Sequence, residues 1–191
     1  DVTEQLDIVP AKFFVHRHIR PQYACRRCET VSATPVPAAL IDGGLAAPRL
    51  LAWVAVSKFV DHLPLYRLEQ IAQRSEVVLP RSTQAEWIGR IGVALAPLCD
   101  RLIARLREGD VLHADETPVA QLDPGRGKTK RAYLWAYRSN ALGADPPIIV
   151  FDYQPGRGGH YPQAFLKGWV GMLMVDDYAG YKALFDDKRG E

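Results

Sequence analysis

The sequence predicts an α/β fold in which a helical stretch precedes a strand-rich one. Three observations carry that expectation. Residues 50–102 place apolar side chains at helical spacing, whereas residues 111–176 hold short apolar runs broken by Gly and Pro. Within the second stretch, Ala132 to Tyr137 sets Tyr133, Trp135 and Tyr137 on alternate positions, the period of a strand. Two of the short runs end on carboxylates, Asp115 and Asp176.

The elements follow in order. Near the start, Cys25-Arg26-Arg27-Cys28 is a Cys-x-x-Cys knuckle, whose spacing suits two ligands of a tetrahedral zinc. A redox pair is the weaker alternative, because no helical pattern follows Cys28. His16 and His18 stand nearby as further donors or as surface groups. Thr34-Pro35-Val36-Pro37 reads as a linker. Leu50 to Val60 and Leu65 to Arg74 are helix candidates, the second with Leu65, Leu68 and Ile71 on one side. After the turn Glu76 to Pro80, Thr83 and Glu86 form a capping box. Behind it Trp87, Ile91, Leu95, Leu98 and Leu102 make an amphipathic stripe, expected to be core. Pro97 is expected to kink this helix, and Cys99 to be buried in it. A helix, a short turn and a capped helix make a helix-turn-helix pattern, or else a bundle that only packs. In the first case Arg81, Ser82, Gln84 and Arg90 are candidate DNA contacts.

The strand-rich stretch begins with Val111-Leu112 and the motif His113-Ala114-Asp115-Glu116-Thr117-Pro118. Leu122 to Lys128 is turn-rich. The alternating strand from Ala132 follows, then a turn at Asp145-Pro146-Pro147. Ile148 to Phe151 is a short apolar run. Gly156 to Gly159 breaks the chain, and Pro162 suits the first turn of a helix over Gln163 to Lys167. Val170 to Val175 is the last run, ending on Asp176-Asp177-Tyr178. The order is three strands, a helix and a strand, with acids on the first and fourth strands. That is the order of an RNase H-like core. Paired acids on neighbouring strands suit divalent metal, and divalent metal suits phosphoryl transfer.

The motif around Asp115 resembles the transposases of the insertion-sequence sixty-six family. So do Leu122-Asp123-Pro124-Gly125-Arg126-Gly127-Lys128-Thr129-Lys130, Leu134-Trp135-Ala136-Tyr137, Phe151-Asp152-Tyr153, Pro162-Gln163-Ala164-Phe165-Leu166 and Asp176-Asp177-Tyr178-Ala179-Gly180-Tyr181. The likeness covers nearly the whole chain. It implies a DDE transposase with an RNase H-like core, in which Asp115 and Asp176 are the first two catalytic acids and ligands of two Mg²⁺ or Mn²⁺ ions. The family commonly carries Gly where this chain has Asp177, and strand geometry favours Asp176 as the inward-pointing acid. Glu116 and Asp177 are supporting or solvent-facing acids rather than ligands. The resemblance also implies that water attack nicks the transposon end and that the resulting 3′-hydroxyl attacks target DNA.

By the same resemblance, residues 1–37 are a zinc-ribbon remnant whose Cys25 and Cys28 are half of a Zn²⁺ site. Residues 38–109 are a helical, helix-turn-helix-like DNA-binding region. Residues 110–191 are the N-terminal part of the catalytic core. The chain starts on Asp1 without Met and stops in the polar stretch Asp186 to Glu191. It is expected to be cut at both ends, with one Cys pair upstream and the third acid, a Glu, downstream. Such a piece is expected to be inactive by itself. The competing reading is a non-catalytic DNA-binding remnant.

Charge agrees in patches. The formal net charge is only +2, but Lys12 to Arg27 holds five Lys/Arg and no acid. Arg126, Lys128, Lys130, Arg131 and Arg138 form a second acid-free group. Such groups neutralise phosphates, so insertion-sequence ends and target DNA are the expected partners, met by a homo-oligomer. Hydrophobic content of 48% and charged content of 24% are those of a globular protein. The longest apolar run, Leu50 to Val56, is far too short to span a bilayer, and no signal peptide is visible. Cysteines in a metal-type knuckle suit a reducing cytoplasm.

Overall fold

In the strand-rich half, a side-chain period of two builds a sheet with one wet and one dry face. The computed structural model describes residues 4–8, 11–41, 43–140 and 146–185. Asp145 of the expected turn and the polar end Asp186 to Glu191 lie outside the described residues. The chain divides into two units, Asp1–Leu95 and Ala96–Glu191, and the division falls inside one long helix. Strands and helices together make a mixed α/β chain.

In the first unit, β1 (Gln22–Ala24) and β2 (Val31–Ala33) form an antiparallel hairpin with Tyr23 opposite Ser32. Helix α1 (Pro48–Phe59) opens on Pro48, whose missing N–H has no partner to lose there. Helix α2 (Leu65–Gln73) ends in a tight turn. There Glu76 takes a left-handed φ of 59°, and the Val77 N–H donates to the Ala72 carbonyl at 3.1 Å. Helix α3 (Arg81–Leu106) follows. Leu51, Val54, Leu68, Ala72, Leu79 and Trp87 form the core, and the Phe13 ring meets Trp53 edge-on at 5.5 Å.

Helix α3 departs from expectation in three places. It starts at Arg81, so Thr83 lies in its first turn rather than capping it. Glu86 pairs with Arg90 instead, at 2.9 Å. The apolar stripe is buried only at its start. Trp87 is 6% exposed, but Leu95, Leu98 and Leu102 are 52%, 58% and 39% exposed. Spacing identifies the apolar side of a helix, not what covers it. Cys99 is likewise exposed rather than core. The helix is continuous through Pro97.

The second unit holds β3 (Val111–Asp123), β4 (Lys128–Ser139), β5 (Ile149–Gln154), α4 (His160–Phe165), β6 (Met172–Met174) and α5 (Lys182–Phe185). The sheet order is β5-β4-β3-β6, antiparallel except for the parallel pair β3 and β6. β3 is longer than its sequence suggests, because it runs through Pro118. Proline is tolerated where a strand has one open edge, and β6 pairs with β3 only as far as His113. Gly125 and Gly127, at φ of 86° and 61°, make the turn into β4. α4 begins at His160, and Pro162 sits in its first turn, where a missing N–H costs little.

Leu112, Ala114 and Glu116 of β3 and Trp135 and Tyr137 of β4 share the dry face. Tyr137 stacks on Phe165 of α4 with ring centroids 3.8 Å apart, and Trp135 meets Tyr181 edge-on at 5.6 Å. Leu106, Val150 and Leu166 complete this core. The other face carries His113 and Asp115 of β3, with exposed Ile149, Phe151 and Met174.

Candidate active site

The parallel seam between β3 and β6 brings the two acids together. Val111 pairs with Met172, Leu112 with Leu173 and His113 with Met174. Two residues past that last pair come Asp115, within β3, and Asp176, beyond the end of β6. Both are exposed, and both line one open depression on the wet face. Ala136 lies directly opposite Asp115 on β4, so a methyl group rather than a large side chain stands beside the acid. Arg138 lies opposite His113, and both also line the depression. Asp177 is exposed and outside it.

Each acid spends one oxygen on local backbone. Asp115 Oδ1 accepts from the Glu116 N–H at 2.9 Å, and Asp176 Oδ1 accepts from the Tyr178 N–H at 3.0 Å. Glu116 points the opposite way, into the dry core, and its side chain is 1% exposed. Arg157 Nε donates to Glu116 Oε1 at 2.7 Å, and the Tyr181 hydroxyl donates to Oε2 at 2.8 Å. The Arg157 guanidinium also lies over the Tyr178 ring, 3.7 Å from its centroid. The Tyr178 hydroxyl donates to the Arg157 carbonyl.

Three groups around this cluster are shifted, Arg157, Tyr181 and Tyr137. The hydrogen bond to Glu116 pushes Arg157 above its ordinary value. Burial, then the bond to Glu116, pushes the Tyr181 hydroxyl up, so it stays a donor. Burial raises Tyr137 as well. Glu116 is therefore a buried, paired acid with both oxygens engaged, which excludes it as a ligand on the wet face.

The donor set at the seam fits a hard divalent cation in part. Mg²⁺ is commonly held by one or two carboxylates and completes its shell with water and substrate phosphates. Asp115 and Asp176 supply two such carboxylates, each with a second oxygen beyond its backbone bond. Among the described residues, no group of three or more His, Cys, Asp or Glu side chains is placed to hold a metal.

The knuckle is a separate arrangement in the first unit. Cys25 and Cys28 lie in the β1–β2 turn, where the Cys25 N–H donates to the Thr30 carbonyl at 3.0 Å and the Glu29 N–H to the Cys25 carbonyl at 2.8 Å. Both thiols are exposed. Hydrogen bonding with Thr30, followed by Cys25, lowers the Cys28 thiol to about 7, toward the thiolate that binds metal. The His16 and His18 rings stack on each other, 6.1 Å apart.

The DNA-contact candidates divide. Arg81 and Ser82 are exposed at the start of α3, with Arg81 paired to Glu69 at 3.2 Å. Arg90 is exposed and paired to Glu86. Gln84 is a correction. It is fully buried, and its Nε2 donates to the Leu79 carbonyl at 2.9 Å, so it fixes the turn before α3 and presents nothing to a ligand. Arg126, Lys128, Lys130 and Arg131 are exposed on the β3–β4 hairpin, with Arg126 3.6 Å from Asp123. Arg157 goes unread in the sequence, His113 enters only as part of its motif, and Arg138 only as one of the acid-free cations. Period two placed Arg138 opposite in direction to Tyr137, which was the available signal for it. Arg157 offered none.

A family model described as Transposase IS66 family matches residues 43–190. A second, described as the zinc-finger binding domain of transposase IS66, matches residues 1–29. Relatives come from Sinorhizobium fredii (strain NBRC 101917 / NGR234). Uncharacterized protein y4qI is 43% identical over 187 residues, covering 96% of this chain and 35% of its own. Uncharacterized protein y4jD is 42% identical over 186 residues, 95% of this chain and 36% of its own. The chain thus spans about a third of the length of the curated relatives it matches. No solved structure matches it.

Proposed function

The chain belongs to the IS66 transposase family, and on that premise we propose that the protein it represents cuts and joins DNA at insertion-sequence ends with metal held by Asp115 and Asp176. One observation carries this reading: the parallel β3–β6 seam brings both acids to the same open depression. The sheet order β5-β4-β3-β6, with its single parallel pair, supports an RNase H-like core.

When bound, Mg²⁺ or Mn²⁺ neutralises charge on the phosphate and lowers the pKa of an attacking hydroxyl. The chain's own residues do the rest. Asp115 and Asp176 supply hard oxygen donors. Arg138, beside them, offers a guanidinium to a DNA phosphate. The exposed hairpin cations Arg126, Lys128, Lys130 and Arg131 extend the positive surface along the strand pair, and Arg81, Ser82 and Arg90 form the corresponding contacts on α3. Residues 1–37 are the zinc-binding remnant, 38–109 the DNA-binding region and 110–191 the catalytic part. Cys25 and Cys28 supply two ligands of a Zn²⁺ site. The protein assembles as an oligomer on DNA.

The test is an assay of strand cleavage and joining by the complete protein on terminal-repeat DNA. Asp115→Ala and Asp176→Ala each abolish both steps with DNA binding retained, while Asp177→Ala remains active. Activity surviving in Asp176→Ala and lost in Asp177→Ala would move the second acid by one residue.

A further inference from the structure

β6 pairs with β3 over three positions, the last being His113 against Met174. Asp176 lies two residues beyond that pair, so the ladder's hydrogen bonds do not hold it. A chain of contacts leads from it back to β3. Asp176 accepts from the Tyr178 N–H. The Tyr178 ring lies against the Arg157 guanidinium, and its hydroxyl is bonded to the Arg157 carbonyl. Arg157 in turn is bound to Glu116, the residue after Asp115. The loop carrying Arg157 also lies directly on the turn that follows Asp176. A Cβ at Gly159 would collide with the Gly180 carbonyl.

We infer that Arg157 is a positioning residue for the acid pair: by joining Glu116 to Tyr178 it sets the separation of Asp115 and Asp176 across the seam. The inference rests on the two-acid reading above. It assigns separate work to neighbouring acids. Asp115 faces the wet side and receives metal, whereas Glu116 faces the core and anchors the loop. Arginine suits the task because its planar guanidinium can meet a carboxylate and an aromatic face at once, which a lysine ammonium cannot. A buried carboxylate needs a partner for stability alone, so a merely structural role is the competing explanation.

Mn²⁺ binding separates the two. The complete protein is titrated with Mn²⁺, free ion is read by electron paramagnetic resonance, and folding is followed by circular dichroism. Arg157→Ala should keep its fold and bind Mn²⁺ about 10- to 100-fold more weakly, the usual effect of losing a group that orients metal ligands. Cleavage should need correspondingly more Mn²⁺, with DNA affinity unchanged. Arg157→Lys should recover part of the loss. Wild-type Mn²⁺ affinity in a folded Arg157→Ala protein overturns the inference. Should that variant fail to fold, Tyr178→Leu replaces it. This change removes the ring and the hydroxyl bond but keeps the Glu116–Arg157 pair and the Tyr178 N–H, and unchanged Mn²⁺ affinity there overturns the inference equally. Asp115→Asn and Asp176→Asn run beside them. If these bind Mn²⁺ as the wild type does, the two-acid reading falls and the inference falls with it. If only they lose Mn²⁺, the reading stands and the role of Arg157 is refuted.

Discussion

The acid seam and the cysteine knuckle each bring two candidate ligands together, but by different physics. Asp115 and Asp176 meet because two distant strands pair over a packed core, with Trp135, Tyr137 and Tyr181 almost fully buried beneath them. Cys25 and Cys28 meet because a short exposed hairpin turns between β1 and β2. The first site depends on long-range packing and the second on a local turn. Damage to the core should therefore erase the seam, while damage to the knuckle should leave the rest of the chain untouched.

The largest effect should come from Trp135→Ala. This ring is fully buried against Tyr181 and Tyr161, and its loss should destabilise the second unit by about 3–5 kcal/mol. Chemical denaturation measures this, and a loss under about 1 kcal/mol, the mean for point mutants in general, would show that the seam does not rest on this core. Leu68→Ala makes the matching test in the first unit. Leu68 is fully buried there, so a cost of about 2–5 kcal/mol is expected. Next comes Tyr181→Phe. It removes the hydroxyl that donates to buried Glu116 and should cost about 1–3 kcal/mol with the ring packing preserved. Cys28→Ser should abolish zinc uptake by the complete protein, read by elemental analysis, yet leave the denaturation midpoint of the second unit in place. A coupled shift would contradict the separation of the two sites. The smallest effect belongs to Arg90→Ala, whose exposed pair with Glu86 contributes under about 0.5 kcal/mol.

What was legible in the sequence follows the same division. The order of elements could be read because apolar runs, Gly and Pro mark breaks locally, although the acids do not stand at strand ends: Asp115 lies inside β3 and Asp176 lies beyond β6. The shared face of Tyr133, Trp135 and Tyr137 followed from period two. The pairing of Glu116 with Arg157 could not be read, because the residues are far apart in sequence and only the folded loop joins them. The continuation of β3 through Pro118 was hidden for a similar reason, since it depends on where β6 stops. Gln84 looked like a surface contact because polar residues usually are; here one amide nitrogen finds the Leu79 carbonyl inside the turn. The stripe on α3 was visible as a pattern, but burial of Leu95, Leu98 and Leu102 was not a property of the pattern.

The most direct measurement is a double-mutant cycle on Mn²⁺ affinity in the complete protein. Wild type, Asp115→Asn, Asp176→Asn and the double variant are titrated in the same buffer. If both acids serve one metal site, either single change removes most of the affinity and the double change does little more. Additive losses, with each single variant keeping substantial affinity, would mean that the seam does not join Asp115 and Asp176 in one site.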